Sequence, residues 1–170
     1  MEEINERLTK KQKEFFKNLS MYIDRPIHFY GSIFRSDYIV GKSDIDIDIF
    51  TDNESSTIQF LCNFLNLKKS DFKRCVYKIK TNVINGYKGN YKDEENGIDV
   101  EISIYNYRYR NLVTEEHDVS KSLPFYLTFI LFIIKNLYYR LNILSKKAYK
   151  RCKRFIMNDN DEIKFIEVDN

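Results

Sequence analysis

Tryptophan is absent from this 170-residue chain, and proline, glycine, cysteine and histidine are scarce, at two, five, three and two residues. So little Gly and Pro excludes a low-complexity or disordered composition. Cys62, Cys75 and Cys152 are odd in number and far apart. Such spacing matches no zinc site and argues against a disulfide framework, so small buried thiols in a reducing compartment are expected. The longest apolar run, Leu123 to Ile134, falls short of the ~20 residues that span a bilayer. The first residues, Met1 to Glu6, are acidic and polar, unlike a secretory leader. A soluble protein of the cytoplasm or another intracellular compartment, without a membrane partner, is expected.

What is present suits one domain with a helical appendage. Hydrophobic residues make up 43% of the chain, enough for a sizeable core, and 13 Tyr and 13 Phe supply all the aromatic content. The net charge of +3 is too mild to predict nucleic-acid binding by itself.

The chain is organised around Tyr30 to Phe50, which opens on Gly31-Ser32 and closes on Asp44-Ile45-Asp46-Ile47-Asp48-Ile49-Phe50. In a strand, alternate side chains share a face. Ile45, Ile47 and Ile49 then line one face, and Asp44, Asp46 and Asp48 the other. Carboxylates about 6–7 Å apart repel one another unless a cation lies between them, so a divalent metal is the expected reason for the pattern.

Around this stretch the periodicity predicts a helix over 2–19, ended by Asp24-Arg25-Pro26. A strand over Ile27 to Tyr30 and a short helix over Ile33 to Tyr38 follow. A helix over Ser56 to Leu67 should bury Ile58, Leu61, Cys62 and Leu65. Asp71 to Lys80 reads as a strand. Asn85-Gly86, Gly89-Asn90 and Asn96-Gly97 read as turns. Ile98 to Tyr105 repeats the earlier alternation, with Ile98, Val100, Ile102 and Ile104 opposite Asp99, Glu101 and Ser103. Asn106 to Lys121 reads as irregular. Ser122 and Pro124 start a helix that runs to about Leu144 and is apolar nearly all round in its first half. A basic helix over Ser145 to Asn158 follows, then an acidic tail in which Ile163 to Val168 reads as an edge strand. His28 is expected to be a packed residue and His117 a loop residue without a partner. Asp48 is expected to be solvated or to support its neighbours.

Each part of the acidic stretch has a use in phosphate chemistry. Gly31 lets backbone approach a bound phosphate, and Ser32 adds a hydroxyl beside amides that cradle anions. Asp44 and Asp46 supply hard oxygen ligands for Mg²⁺. A third carboxylate, Asp99 or Glu101, would serve a second metal or take the proton of an attacking hydroxyl.

Gly31-Ser32, ten intervening residues and Ser43-Asp44-Ile45-Asp46-Ile47 resemble the signature of the DNA polymerase beta-like nucleotidyltransferase superfamily. Arg35, three after Ser32, resembles the Gly-Ser-x-x-Arg of its minimal members. The resemblance covers about residues 27 to 105. It implies a small mixed β-sheet flanked by helices, an α+β or α/β arrangement, as a catalytic core over 1–110. A short C-terminal helical extension over 111–170 would pack on it. It further implies a nucleotidyltransferase using a nucleoside triphosphate, ATP first, with Mg²⁺ or Mn²⁺ and a two-metal mechanism. Asp44, Asp46 and Asp99 would hold metal, and Gly31, Ser32, Arg35 and Ser43 would hold the nucleotide. Ile98-Asp99-Val100 resembles the polymerase form of the third carboxylate. Glu101 through Asn106 resembles the Asp-Ile-Ser-Phe-Asn form of terminal transferases, with Glu in place of Asp. The first form favours Asp99, and both stay open.

Two basic clusters, Lys68 to Lys80 and Arg140 to Arg154, point to phosphates, of a triphosphate or of a nucleic acid. The acceptor implied is a protein, an RNA end or a small molecule, and the short C-terminal part favours a minimal enzyme over a large nucleic-acid platform. Two alternatives accompany this reading. One is a nucleotide- or partner-binding module with reduced catalysis, whose apolar C-terminal helix docks a partner protein as in toxin–antitoxin pairs. The other is terminal nucleotide addition to RNA.

Overall fold

Ile45, Ile47 and Ile49 are fully buried, and so are Val100, Ile102 and Ile104. Two alternating strands can bury both rows only if they pair in phase. The computed structural model, which describes residues 2–79, 81–121 and 124–156, shows that pairing. Strand β2 (Ile45–Thr51) lies parallel to β5 (Ile98–Asn106), with Ile45 opposite Val100 and Ile47 opposite Ile102. The same register sets Asp46 opposite Glu101 and Asp48 opposite Ser103 on the other face. Strands β1 (His28–Tyr30), β3 (Lys73–Ile79) and β4 (Asn82–Asp93) complete a mixed five-stranded sheet in the order β1-β2-β5-β4-β3. All its other pairings are antiparallel.

The isoleucine face is covered by α2 (Lys10–Ile23), through Phe16, Leu19 and Ile23, and by α3 (Glu54–Leu65), through Ile58, Leu61 and Leu65. The expected buried face of α3 is the observed one, although the helix starts two residues early on the Asn53 cap. The first helical stretch is split. A short α1 (Glu2–Arg7) precedes α2, because Thr9 and Gln12 form a capping box that starts a new helix.

The opposite face is apolar at one end only. Phe50, Tyr77, Ile84 and Tyr105 cluster there with Val113 of α4 (Arg110–Lys121). This helix corrects the irregular reading of 106–121. Leu112, Val113 and Val119 are its only apolar residues, too few to stand out among the charges, and tertiary packing holds it in place. The expected turns at Asn85-Gly86 and Gly89-Asn90 are corrected as well, since both lie inside the continuous strand β4. Their glycines serve close approach: a Cβ at Gly86 would strike the Tyr105 ring and one at Gly89 the Phe72 ring. Asn96-Gly97 is a true turn, with Gly97 at φ +64°.

Two further helices, α5 (Phe125–Tyr139) and α6 (Lys146–Ile156), pack on each other and reach the acidic end of the same face. α5 ends before Leu144, at a break that holds Asn142 in the left-handed region. The tail, with Ile163 to Val168, lies outside the described residues. Among the described residues no helix is long and apolar enough to cross a membrane.

Candidate active site

Gly31 begins a single 3-10 turn, Gly31–Phe34, directly after β1. Its φ is +73°, and a Cβ there would overlap the Asp46 carboxylate oxygen. Only glycine satisfies both demands. Gly31→Ala is expected to cost about 1–2 kcal/mol from the left-handed backbone alone and to push Asp46 out of place. A thermal melt and a transfer assay check this, and an unchanged melt with full activity would contradict it. Ser32 is buried, and its hydroxyl has no hydrogen-bond partner among the described residues.

Asp46 faces this turn and shares a rung with Glu101. Burial, with the neighbouring charges of Asp44 and Glu101, pushes its carboxyl up to about 7. The same carboxylates act on their surroundings. Burial raises the Tyr38 phenol to about 12, helped by Asp44 and Asp46. Burial likewise lifts the Tyr30 phenol well above its usual range, helped by Asp46, Asp48 and Glu101. Asp99 sits two residues earlier on β5 than Glu101. Burial and the Asp44 charge raise it, against Lys92 and Lys146.

A cavity of about 660 Å³ opens beside these groups. Asp44, Asp99 and Glu101 line one side of it, and Lys146, Lys150 and Lys153 of α6 line another, with Tyr138, Tyr139 and Tyr149 nearby. Burial would lower the Lys153 ammonium, yet Asp44 and Asp46 outweigh it and hold the group above its ordinary value. The basic run of the C-terminal helix is therefore aimed at the acidic end of the sheet. Glu101 is also ion-paired with Lys88 of β4.

The donor set fits a hard divalent cation. Asp44 and Asp46 offer carboxylate oxygens at a point of mutual repulsion, and the buried hydroxyl of Ser32, next in sequence to the Gly31 that Asp46 faces, is unengaged. Among the described residues no three His, Cys, Asp or Glu side chains form a ready-made metal cage. Mg²⁺ needs none, since it binds through one or two carboxylates together with substrate phosphates.

Of the expected nucleotide-site residues, Ser43 lines the cavity, and both it and Arg35 also hold neighbouring groups. Arg35 is buried, and its guanidinium grips Asp37 at both oxygens, at 2.8 and 3.3 Å. Lys135 of α5 donates to the same carboxylate at 2.9 Å. Ser43 is buried too, its hydroxyl accepting from the Ile39 amide at 3.1 Å and from Lys135 at 3.5 Å. Arg35 and Ser43 thus join α5 to the loop between β1 and β2. Asp37 and Lys135 were missed in the sequence. The available signal was that Lys135 is the sole charge in the apolar stretch Phe125–Tyr139.

His117 and Asp48 also depart from expectation. His117 lies on α4, its Nδ1 is 2.9 Å from Asp48 Oδ2, and its ring stacks on Tyr30 at 3.9 Å between centroids. Asp48 is buried, which leaves the supporting role of its two expected ones. Burial raises its carboxyl, and the His117 hydrogen bond works against that. The pair ties α4 to β2.

No protein-family pattern matches the chain, and no curated protein does. Among solved structures it is similar to a STING-associated CdnE c-di-GMP synthase from Capnocytophaga granulosa, at 20% identity and a TM-score of 0.32 over 62% of this chain. It is similar to Cid1, described for its RNA terminal uridylyl transferase activity, at 14% identity and a TM-score of 0.35 over 80% of this chain. A GLD-2/RNP-8 complex gives 12% identity and a TM-score of 0.36 over 92% of this chain. The chain spans 33%, 38% and 59% of those chains, respectively.

Proposed function

We propose that this chain is a Mg²⁺-dependent nucleotidyltransferase that moves a nucleoside monophosphate from a nucleoside triphosphate, ATP first, to an acceptor hydroxyl. The observation that carries this reading is one juxtaposition. Asp46 shares a rung with Glu101, against a glycine turn that leaves a buried serine hydroxyl unengaged, and a lysine-bearing helix faces the same acids. When bound, Mg²⁺ held by Asp44 and Asp46 would offset charge on the triphosphate. Lys146, Lys150 and Lys153, which line the cavity, hold the phosphates. The cavity of about 660 Å³ suits one nucleotide. The acceptor oxygen bonds to the α-phosphorus, the bond from that phosphorus to the bridging oxygen breaks, and pyrophosphate leaves. The acceptor's proton passes to Glu101, which sits beside Asp46 on its rung, in preference to Asp99 at the start of the strand.

Titration calorimetry with ATP and Mg²⁺ tests the phosphate contacts. Each charge-assisted contact contributes about 1.5–3 kcal/mol, so Lys150→Ala and Lys153→Ala should each weaken binding roughly 10- to 100-fold. Wild-type affinity in both variants would remove α6 from the site. Labelled ATP incubated with cell lysate then reports whether label enters protein, RNA or small molecules. The Lys88–Glu101 ion pair favours a second reading, a binding module with little turnover, because it engages the proposed proton acceptor. Tight ATP binding with no pyrophosphate release across an acceptor screen would select it.

A further inference from the structure

Helix α5 is mounted with its polar residues inward. Thr128, Leu131 and Lys135 are buried. Phe125, Tyr126, Phe129, Ile130, Phe132 and Ile133 face solvent at 40–82% exposure. Thr128 and Lys135 leave no doubt about which side is inward, because Lys135 is tied to Asp37 at 2.9 Å. The six outward side chains leave on the order of 700 Å² of apolar surface in water, taking about 150–250 Å² for a whole aromatic side chain. That exceeds the roughly 300–600 Å² of the largest patch on a typical monomer and approaches the ~800 Å² per partner of a stable interface.

We propose that this face is a homodimer interface in which α5 packs on α5 of a second copy about a two-fold axis. Three observations favour a second copy. The area matches what one subunit contributes to a stable dimer. The helix carries no charge except Lys135, which points into its own subunit, so two copies meet without like-charge repulsion. The face also lacks the polar and charged code by which an interface selects one foreign partner over others, whereas an isologous contact needs only self-complementary shape. The chain's own residues after Ile156 are a poorer fit, since they intersperse five carboxylates among Met157, Ile163, Phe165, Ile166 and Val168. The inference is independent of the nucleotidyl-transfer reading.

Sedimentation of the full chain from about 1 to about 100 µM should give a dimer. Phe129→Glu combined with Ile133→Glu should weaken self-association by about 100-fold or more, since it buries charge at the centre of the contact. Phe155→Glu, at a still more exposed aromatic on α6, should leave the dimer unchanged. A photoreactive benzoyl-phenylalanine in place of Tyr126 should join two full-length chains on irradiation, a readout that does not depend on the charged variant folding. A monomer at the highest concentration overturns the proposal. So does a dimer that survives both charge substitutions, or cross-linking only within one chain.

Discussion

Asp44→Asn or Asp46→Asn is expected to lower nucleotidyl transfer by about 10³-fold without unfolding the protein. The substitutions conserve shape and remove one negative charge each. At Asp46 the charge is already disfavoured by burial and by Asp44 and Glu101, which raise the carboxyl to about 7. A neutral amide relieves that repulsion, so the melting temperature in metal-free buffer should hold or rise. A second readout is independent of turnover. A ligand that binds only the folded state stabilises it by mass action. Mg²⁺ with ATP should therefore raise the wild-type melting temperature, and the rise should shrink in Asp46→Asn. An Asp46→Asn protein that keeps both full transfer and the full Mg²⁺-dependent rise would show the metal and the chemistry to lie elsewhere.

The second large effect concerns stability. Asp37 has no exposed side-chain surface and lies between Arg35 and Lys135, which are nearly as buried. Asp37→Ala leaves two buried cations without their anion, and breaking such a cluster costs about 3–5 kcal/mol. For a chain of this size that is a fall in melting temperature of roughly 10 °C. Lys135→Met should cost less, because Asp37 keeps the two-point grip of Arg35 and the new side chain is apolar. Differential scanning calorimetry of both variants checks the order, and equal or reversed losses would refute it. The pH dependence has a defined sign. Burial tends to raise the Asp37 carboxyl, but the hydrogen bond from Arg35 and the charge of Lys135 outweigh it and hold it below 3.8. Its contribution is therefore complete above pH 3.8 and is lost as the pH falls through the lower folded value. Asp37→Ala should abolish that part of the acid transition.

Most of the sheet was legible because strand alternation is a local property. Ile45 to Ile49 and Ile98 to Ile104 declare a buried face at every second residue, and their buried rows are the observed ones. The Gly31-Ser32 turn was legible for a similar reason, since a glycine before a hydroxyl marks a backbone demand that neighbours in sequence reveal. The turns read at Asn85-Gly86 and Gly89-Asn90 failed because glycine has two uses. There it makes room for the Tyr105 and Phe72 rings, which come from elsewhere in the chain. Helix α4 was illegible because Leu112, Val113 and Val119 are its only apolar residues among charged and polar ones, and the pairing of His117 with Asp48 joins residues 69 positions apart in sequence.

The sequence by itself determined β1, β2, β3 and β5, the order of carboxylates along β2 and β5, and the glycine turn, because each depends on residues within a few positions of one another. Only the tertiary structure decided which carboxylates meet. The parallel register of β2 and β5 sets Glu101, not Asp99, beside Asp46. With Lys135 turned to solvent, the fully buried Asp37 would lose one of its two cations; tertiary packing also turned α5 so that its one lysine faces inward to Asp37 and its phenylalanines outward. It thereby carried the lysines of α6 to the acids, across a distance in sequence that no local pattern spans.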